Sequence, residues 1–477
     1  MLKAIKPKMG VVAAFLAVPV IWYVFSVFVP LAAALFYSFF DWKGGPNKTF
    51  TGIANYVKLI HDGTFWQAFG HNIFIVVVCI IGQVGIAFIL VLMVNSRLTK
   101  LKGMHRTFGF FPSTISAVYI GLIWTMIFDY KRGILNYILT QAGHKDMTQV
   151  WLNNPALVLP LVSIPLVWQF IGYYMVILLS AIAAVDNEIF EVAELDGANA
   201  FQRAIYIVLP LIKNMLMVCI TLCVAGNMKV FDHIYTMTEG GPGIGLPTAP
   251  TFENYIRVLT NKDYHLGSSM LNSVRVTVIS LFFIVLFGFV IGYILARVPF
   301  KLNRLLYVLF LMGLLIPVHS LPVPIYVVFN SVGMSNQWYT LIIPYVAFGL
   351  PIAVFLVEGF IKAIPVELEE AAAIDGSSFT HTMFNIIFPV SRPILTTIAI
   401  IQSFSCWNEF SFALVLCSRN VKLQTVPLAM TNFKGQFASD YPKIMSGMLV
   451  TMIPIVLLYF LFSKKIIEGM VAGAVKG

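Results

Sequence analysis

Runs of roughly twenty apolar residues, the length that crosses the hydrocarbon core of a bilayer, recur near 11–38, 72–95, 108–129, 156–184, 208–227, 270–296, 305–329, 338–361, 385–416 and 444–463. No water reaches the backbone at that depth, so each run has to close its hydrogen bonds within itself as a helix. One fold class is left open, an all-α polytopic membrane protein. Composition agrees, because 59% of residues are hydrophobic and only 11% charged, whereas a soluble surface needs about a quarter charged. The 40 Phe and 19 Tyr suit lipid-facing surface and interfacial belts. Pro160, Pro165, Pro317, Pro322, Pro324 and Pro351 interrupt several runs, which membrane helices tolerate when neighbours satisfy the freed backbone groups.

The net charge of +10 reads as loop charge facing anionic lipid, and no basic tract points to a nucleic-acid partner. Lys3, Lys6 and Lys8 precede an apolar run from Met9 past Leu35. It is too long for a signal-peptide core and has no small-residue cleavage site, so a retained first span is expected. Ten spans put both ends on one side. Arg97, Lys100, Lys102, Arg106, Arg297, Lys301, Arg304, Lys464 and Lys465 place that side in the cytoplasm by the positive-inside rule, with the inverted topology as the alternative. Cys79, Cys219, Cys223, Cys406 and Cys417 lie in or beside apolar runs without paired spacing and are expected as small buried residues. His233, His319 and His381 lack ligand spacing, so neither metal nor cofactor is expected.

Two polar islands offset by 179 residues carry the same pattern. Glu191-Val192-Ala193-Glu194-Leu195-Asp196-Gly197 leads to Ile207-Val208-Leu209-Pro210, and Glu370-Ala371-Ala372-Ala373-Ile374-Asp375-Gly376 leads to Ile386-Ile387-Phe388-Pro389. Nine residues separate glycine from isoleucine in both, an internal repeat that solvation of a connector does not require. The pattern predicts a short helix, a turn and a second short helix feeding a span. Ala193, Ala371 and Ala372 permit close approach, and Gly197 and Gly376 permit a backbone conformation or packing distance that a side chain obstructs. Pro210 and Pro389 fix the chain near the first turn of the following span. Glu191, Asp196, Glu370 and Asp375 give each tip a negative charge suited to a basic partner.

These islands resemble the coupling loop of transmembrane subunits of binding-protein-dependent ABC importers, Glu-Ala-Ala, three residues, Gly, nine residues, Ile, one residue, Leu-Pro. Val192 and Phe388 depart from it. Phe231-Asp232-His233-Ile234-Tyr235-Thr236-Met237-Thr238 before Glu239-Gly240-Gly241-Pro242 resembles the segment after the fifth span of the maltose-permease-like first subunit. Trp407-Asn408-Glu409-Phe410 and the terminal Ala472 to Gly477 resemble the second subunit of the same carbohydrate class. The resemblance implies a type I importer fold in two related halves. They are 1–243 with a coupling loop at 186–210 and 251–477 with one at 365–389, joined by a Gly/Pro linker at 244–250. Each subunit of the family carries six spans, so the last span of one half and the first of the other are missing, a loss that joins two outer loops and keeps every other orientation.

The resemblance further implies a permease, not an enzyme, in the plasma (inner) membrane of a prokaryote, with both termini cytoplasmic. Two cytoplasmic ATP-binding subunits would seat on the coupling loops and an extracytoplasmic solute-binding protein would deliver solute to the outer loops, around 229–268. No Gly-x-x-x-x-Gly-Lys-Ser/Thr phosphate loop occurs in the chain. Glu191 and Glu370 would be polar anchors, Gly197 and Gly376 close-packing points, and the tail from Gly473 a further ATPase contact. Asn227 falls where the maltose-type subunit touches sugar, with Cys223 and Val230 at neighbouring contact positions. These two are poor sugar ligands, so a different sugar or contact set is implied. A sugar site needs hydrogen-bonding groups and aromatic faces near mid-membrane, and Trp168, Gln169, Tyr173 and Tyr174 on the fourth span offer them, with helix packing as the competing use of the aromatics. Asp232 and Glu409 lie near span ends, functional if at depth and otherwise solvated. A sugar or oligosaccharide is the expected solute, a glycerol phosphate or polyol the alternative. An ion-gradient carrier is the rival class, which calls for ionisable groups at span centres.

Overall fold

A computed structural model describes residues 7–42, 47–95, 102–131, 133–183, 185, 187–238, 255–256, 265–431 and 441–474. The 244–250 linker, the Glu239–Pro242 segment, Arg97, Lys100 and residues 475–477 lie outside them. In chain order the principal helices are α1 (Met9–Tyr37), α2 (Gly63–Val94), α3 (Gly103–Thr114), α4 (Ala117–Ile127), α5 (Val158–Ala183), α6 (Asn187–Leu195), α7 (Ala200–Leu211), α8 (Lys213–Asn227) and α9 (Asp232–Thr238). They continue with α10 (Leu266–Arg297), α11 (Asn303–Leu315), α12 (Pro322–Ser331), α13 (Ile342–Ala363), α14 (Glu367–Ile374), α15 (Phe379–Val390), α16 (Arg392–Asn408), α17 (Ser411–Cys417) and α18 (Tyr441–Ala474). A short antiparallel ribbon pairs Phe40–Asp41 with Thr49–Phe50.

Among the described residues six helices are long and apolar enough to cross a membrane, and three bent pairs raise this to nine. The bends are 94° between α3 and α4, 77° between α7 and α8, and 73° between α15 and α16. The run at 305–329 is not one continuous helix. Ile316 sits extended ahead of Pro317 (φ −68°, ψ 124°), the conformation a following proline imposes, and the run divides into α11 and α12. Ile115 is likewise extended (φ −80°, ψ 141°) at the α3–α4 corner.

The repeat is structural as well as sequential. At the same 179-residue offset, α7 matches α15, α9 matches α17, and a π-helical turn at Arg203–Val208 matches one at Thr382–Ile387. In each half the short helix after the bent pair packs on the second limb of the preceding broken span, α9 on α4 and α17 on α12. Ile134–Gln141 and the turns at Lys145–Met147 and Trp151–Asn153 lie between α4 and α5, where the second half passes directly from α12 to α13.

The chain forms two compact units, one of Met1–His61 with Gly267–Ala429 and the other of Asp62–Leu266 with Met430–Gly477. Neither unit is a contiguous half of the sequence. In the first, α1 packs on α13, where Trp22 Nε1 donates to the Ile343 carbonyl at 2.9 Å and Tyr23 stacks on Phe310 at 4.6 Å. In the second, α18 packs on α5, the Tyr459 hydroxyl donates to the Thr107 carbonyl at 2.6 Å, and its ring stacks on Phe110 at 5.8 Å. All five cysteines are buried, Cys79, Cys219 and Cys223 in the apolar core of the second unit.

Candidate functional site

Each repeated island folds as an elbow closed by its own backbone. After α6, the Gly197 amide donates to the Glu194 carbonyl at 3.2 Å and the Ala198 amide to the Ala193 carbonyl at 3.0 Å. After α14, the Gly376 amide donates to Ala373 at 3.0 Å and the Ser377 amide to Ala372 at 2.9 Å. This crossed pair ends a helix on a left-handed residue, and the glycines sit at φ +75° and +79°. Conformation is their reason within this chain, not packing, since a Cβ added at either would meet nothing within 4 Å. The return limbs are capped. Asn199 and Gln202 bond reciprocally at 2.8 and 2.9 Å, and Ser378 Oγ accepts from the His381 amide at 3.3 Å. Pro210 and Pro389 then lie in the last turn of α7 and α15, just ahead of the bend into α8 and α16.

The expected anchors divide by exposure. Glu191, Asp196, Gly197, Ala371, Asp375 and Gly376 are exposed and Glu370 is half-buried. Ala193 and Ala372, at the same step of the repeat, are buried. A pair outside the expected set is more conspicuous. Leu195 and Ile374, each directly before the Asp-Gly, are 87% and 80% exposed. Large apolar side chains so fully in the open, at matching steps of two copies, give each acidic tip an apolar knob. The shared apolar residue before Asp-Gly was the available sequence signal.

What holds the elbows differs. In the second, Arg297 Nε donates to Glu369 Oε1 at 2.6 Å, Arg297 Nη2 to the Ile364 carbonyl at 2.6 Å, and the Tyr293 hydroxyl to Glu369 Oε2 at 3.1 Å. The side chains of Arg297 and Glu369 are only 8% and 1% exposed. The residue matching Glu369 in the first elbow is Phe190, packed against the apolar core of its unit. No local sequence pattern singles out Glu369, because its partner lies 72 residues away.

Of the candidate solute residues, Asn227, Tyr173 and Tyr174 gather around one core, while Gln169 bonds elsewhere and Trp168 lies outside it. Asn227, on the last turn of α8, is buried with Gln83 and Cys223. Its amide donates to the Cys223 carbonyl at 2.8 Å and to Gln83 Oε1 at 3.2 Å, while Gln83 Nε2 donates to the Leu166 carbonyl at 3.0 Å. Tyr174 is buried in the same core, beside Tyr173 at 5.2 Å between ring centres. Val230 packs on that core from its edge. Gln169 donates to the Ile115 carbonyl at 2.9 Å, and its own side-chain oxygen is buried with no partner. Trp168 instead lines a cavity of about 540 Å³ with Trp124, Val78, Ile81, Gly82 and Ile171. The Ser163 hydroxyl in that lining donates to the Leu159 carbonyl, and the walls are otherwise largely apolar and aromatic.

Asn227 therefore acts as a clamp between α8 and α2. Asn227→Ala removes one partner of Gln83, which keeps the Leu166 carbonyl and the Cys223 thiol, and is expected to destabilise the protein by about 0.5–1.5 kcal/mol, lowering the melting temperature in detergent with little change in the solute KM. A KM rise of tenfold or more at unchanged stability would instead make Asn227 a ligand.

Glu409 is engaged, not merely solvated. Its carboxylate accepts from the Tyr345 hydroxyl at 2.6 Å and from the Phe412 amide at 2.6 Å, which fastens α17 to α13. His319 Nδ1 lies 2.7 Å from Ser411 Oγ, whereas His233 is buried on α9 and His381 exposed on α15. Among the described residues no three His, Cys, Asp or Glu converge as a metal site.

The sequence matches the model of the binding-protein-dependent transport system inner membrane component twice, over residues 85–298 and 288–464. The chain belongs to this family and carries two copies of its domain. It is 39% identical over 250 residues to a putative ABC transporter permease protein ORF2 of Caldicellulosiruptor sp. (strain Rt8B.4), covering 52% of this chain and 90% of that one. It is 37% identical over 213 residues to the melibiose/raffinose/stachyose import permease MelC of Bacillus subtilis, covering 44% and 77%. To the trehalose transport system permease SugB of Mycobacterium tuberculosis it is 32% identical over 234 residues, covering 49% and 84%. Among solved structures, a bacterial ABC transporter involved in alginate import aligns at 20% identity and a TM-score of 0.42, over 53% of this chain and 85% of that one.

Proposed function

We propose that the chain forms the translocation path of an ABC importer for a sugar or oligosaccharide, and that two cytoplasmic ATP-binding subunits seat on its two elbows. The observation that carries this reading is the duplicated elbow, a rigidly closed tip that displays an apolar knob, Leu195 or Ile374, beside exposed Asp196 or Asp375. Such a tip fits a socket with an apolar floor and a basic rim, the knob supplying affinity and the acids orientation. Glu191 and Glu370 extend the acidic edge and are the polar anchors. Each elbow leads directly into a bent pair of helices, so a push on the tip is delivered to the membrane segment that follows.

The elbows and both termini lie on the cytoplasmic side of a prokaryotic plasma membrane, and an extracytoplasmic binding protein loads the opposite side. The halves 1–243 and 251–477 each supply one elbow. Relatives named for trehalose and for melibiose, raffinose and stachyose support an oligosaccharide as the solute. Gln169, with its unpaired buried oxygen, and the neighbouring Tyr173 are the residues of the candidate set best suited to face it.

The test is uptake by proteoliposomes containing the full chain, its co-purifying ATPase and binding protein, and labelled trehalose, raffinose or melibiose. Accumulation of one sugar that needs internal ATP and survives collapse of ion gradients is the expected result. Accumulation driven by a proton or sodium gradient without the ATPase would make the protein a carrier.

A further inference from the structure

The last turns of α10 bring Phe289, Tyr293 and Arg297 into line at four-residue spacing, one face of a helix. That face grips the second elbow at its entry, its first helix and its return limb. Arg297 takes the Ile364 carbonyl at the end of α13 and the Glu369 carboxylate on α14, and Tyr293 takes the other oxygen of Glu369. On the return limb, Phe379 lies 5.7 Å from the Tyr293 ring and Phe388 4.9 Å from the Phe289 ring. At the matching step of the first elbow Phe190 has no charge to offer, and the ion pair seen there among the described residues, Arg203 with Glu194 at 3.7 Å, is open to solvent.

We propose that Arg297, supported by Tyr293, is a positioning residue that makes the second elbow move as one body with α10, while the first elbow is held by apolar packing of Phe190 and a solvent-exposed Arg203–Glu194 pair, which contributes little, so the two elbows are mechanically unequal. An ion pair with both partners desolvated and every acceptor occupied resists being opened, since removing one partner strands the other charge. Apolar packing is non-directional and lets the first helix shift in small steps. A closing pair of ATPase subunits thus meets one stiff and one compliant connection. The transport consequence rests on the importer reading, whereas the difference in stiffness does not.

Glu369→Gln and Arg297→Leu separate the two. Hydrogen exchange of the full chain in lipid nanodiscs is expected to accelerate over 366–377, by on the order of a hundredfold for a broken buried pair, and to stay at the wild-type rate over 188–198. Phe190→Ala is expected to do the reverse. In the proteoliposome assay, using whichever labelled sugar the wild type accumulates, Glu369→Gln should lower the maximal rate by about tenfold or more and hold KM within about twofold, because coupling and not solute binding is lost. The double variant Arg297→Leu with Glu369→Phe, which copies the apolar anchor of the first elbow, should regain part of that rate. Equal acceleration at both elbows, or wild-type exchange at 366–377 in both single variants, would overturn the proposal. A wild-type chain without ATP-driven uptake would overturn the importer reading alone and leave the exchange contrast to decide the strut.

Discussion

Gly172→Val will fail to accumulate as folded protein. Gly172 lies mid-way along α5 where α3 crosses it, and a Cβ added there would overlap the Gly109 carbonyl group and stand 2.7 Å from the Phe110 amide nitrogen. The obstacle is backbone, so no side-chain rotation relieves it. Two helices would have to separate along a close crossing that only glycine permits, in an interior too densely packed to absorb the displacement. Overpacking alone costs about 1–3 kcal/mol where side chains can yield, and here they cannot. Each 1.4 kcal/mol is tenfold in the folded population, so the yield of monodisperse protein after extraction should fall below about a tenth of wild type. Gly359→Ala provides the control, being a membrane-helix glycine whose added Cβ meets nothing within 4 Å. It should be neutral or slightly stabilising.

The second large effect is functional. Gly197→Val with Gly376→Val should leave the protein inserted and monodisperse yet abolish solute accumulation. Space is open around both glycines, so the penalty comes from conformation alone, about 1–2 kcal/mol for an L-residue held left-handed and more for a β-branched one. Each crossed pair of amide bonds then opens, and the tip carrying Leu195 or Ile374 no longer presents a fixed shape. Gly197→Asn with Gly376→Asn tolerates the left-handed conformation and should retain ATPase binding. Loss of binding in the asparagine pair would mean that the partner packs directly against the glycines.

Much of this was legible before any coordinates. The spans followed from hydrocarbon thickness, and the elbows from glycine and proline punctuation repeated at a fixed offset, because both signals are local. What stayed hidden is long-range. Hydropathy identifies helices but not their neighbours, so nothing in the sequence of α1 or α18 announced that each packs within the unit holding the other half's repeat. Pro317 was visible as a break, yet only the extended Ile316 turned the run at 305–329 into two helices. Asn227 is a ligand candidate by its match to a sugar-contact position of the maltose-type subunit, and its bond to Gln83, 144 residues earlier in the chain, is one that no local pattern announces. Glu369 and Glu370 are neighbours of one residue type, one sealed against Arg297 and the other half-exposed, a difference set by helix phase against α10.

Co-purification of the ATPase with the full chain, compared between wild type and the double valine variant at equal membrane insertion, tests the coupling role of the elbows most directly. Loss of the ATPase from the variant, together with loss of ATP-driven sugar uptake, is the predicted result. Wild-type levels of both in a variant whose two elbows are demonstrably open would contradict it.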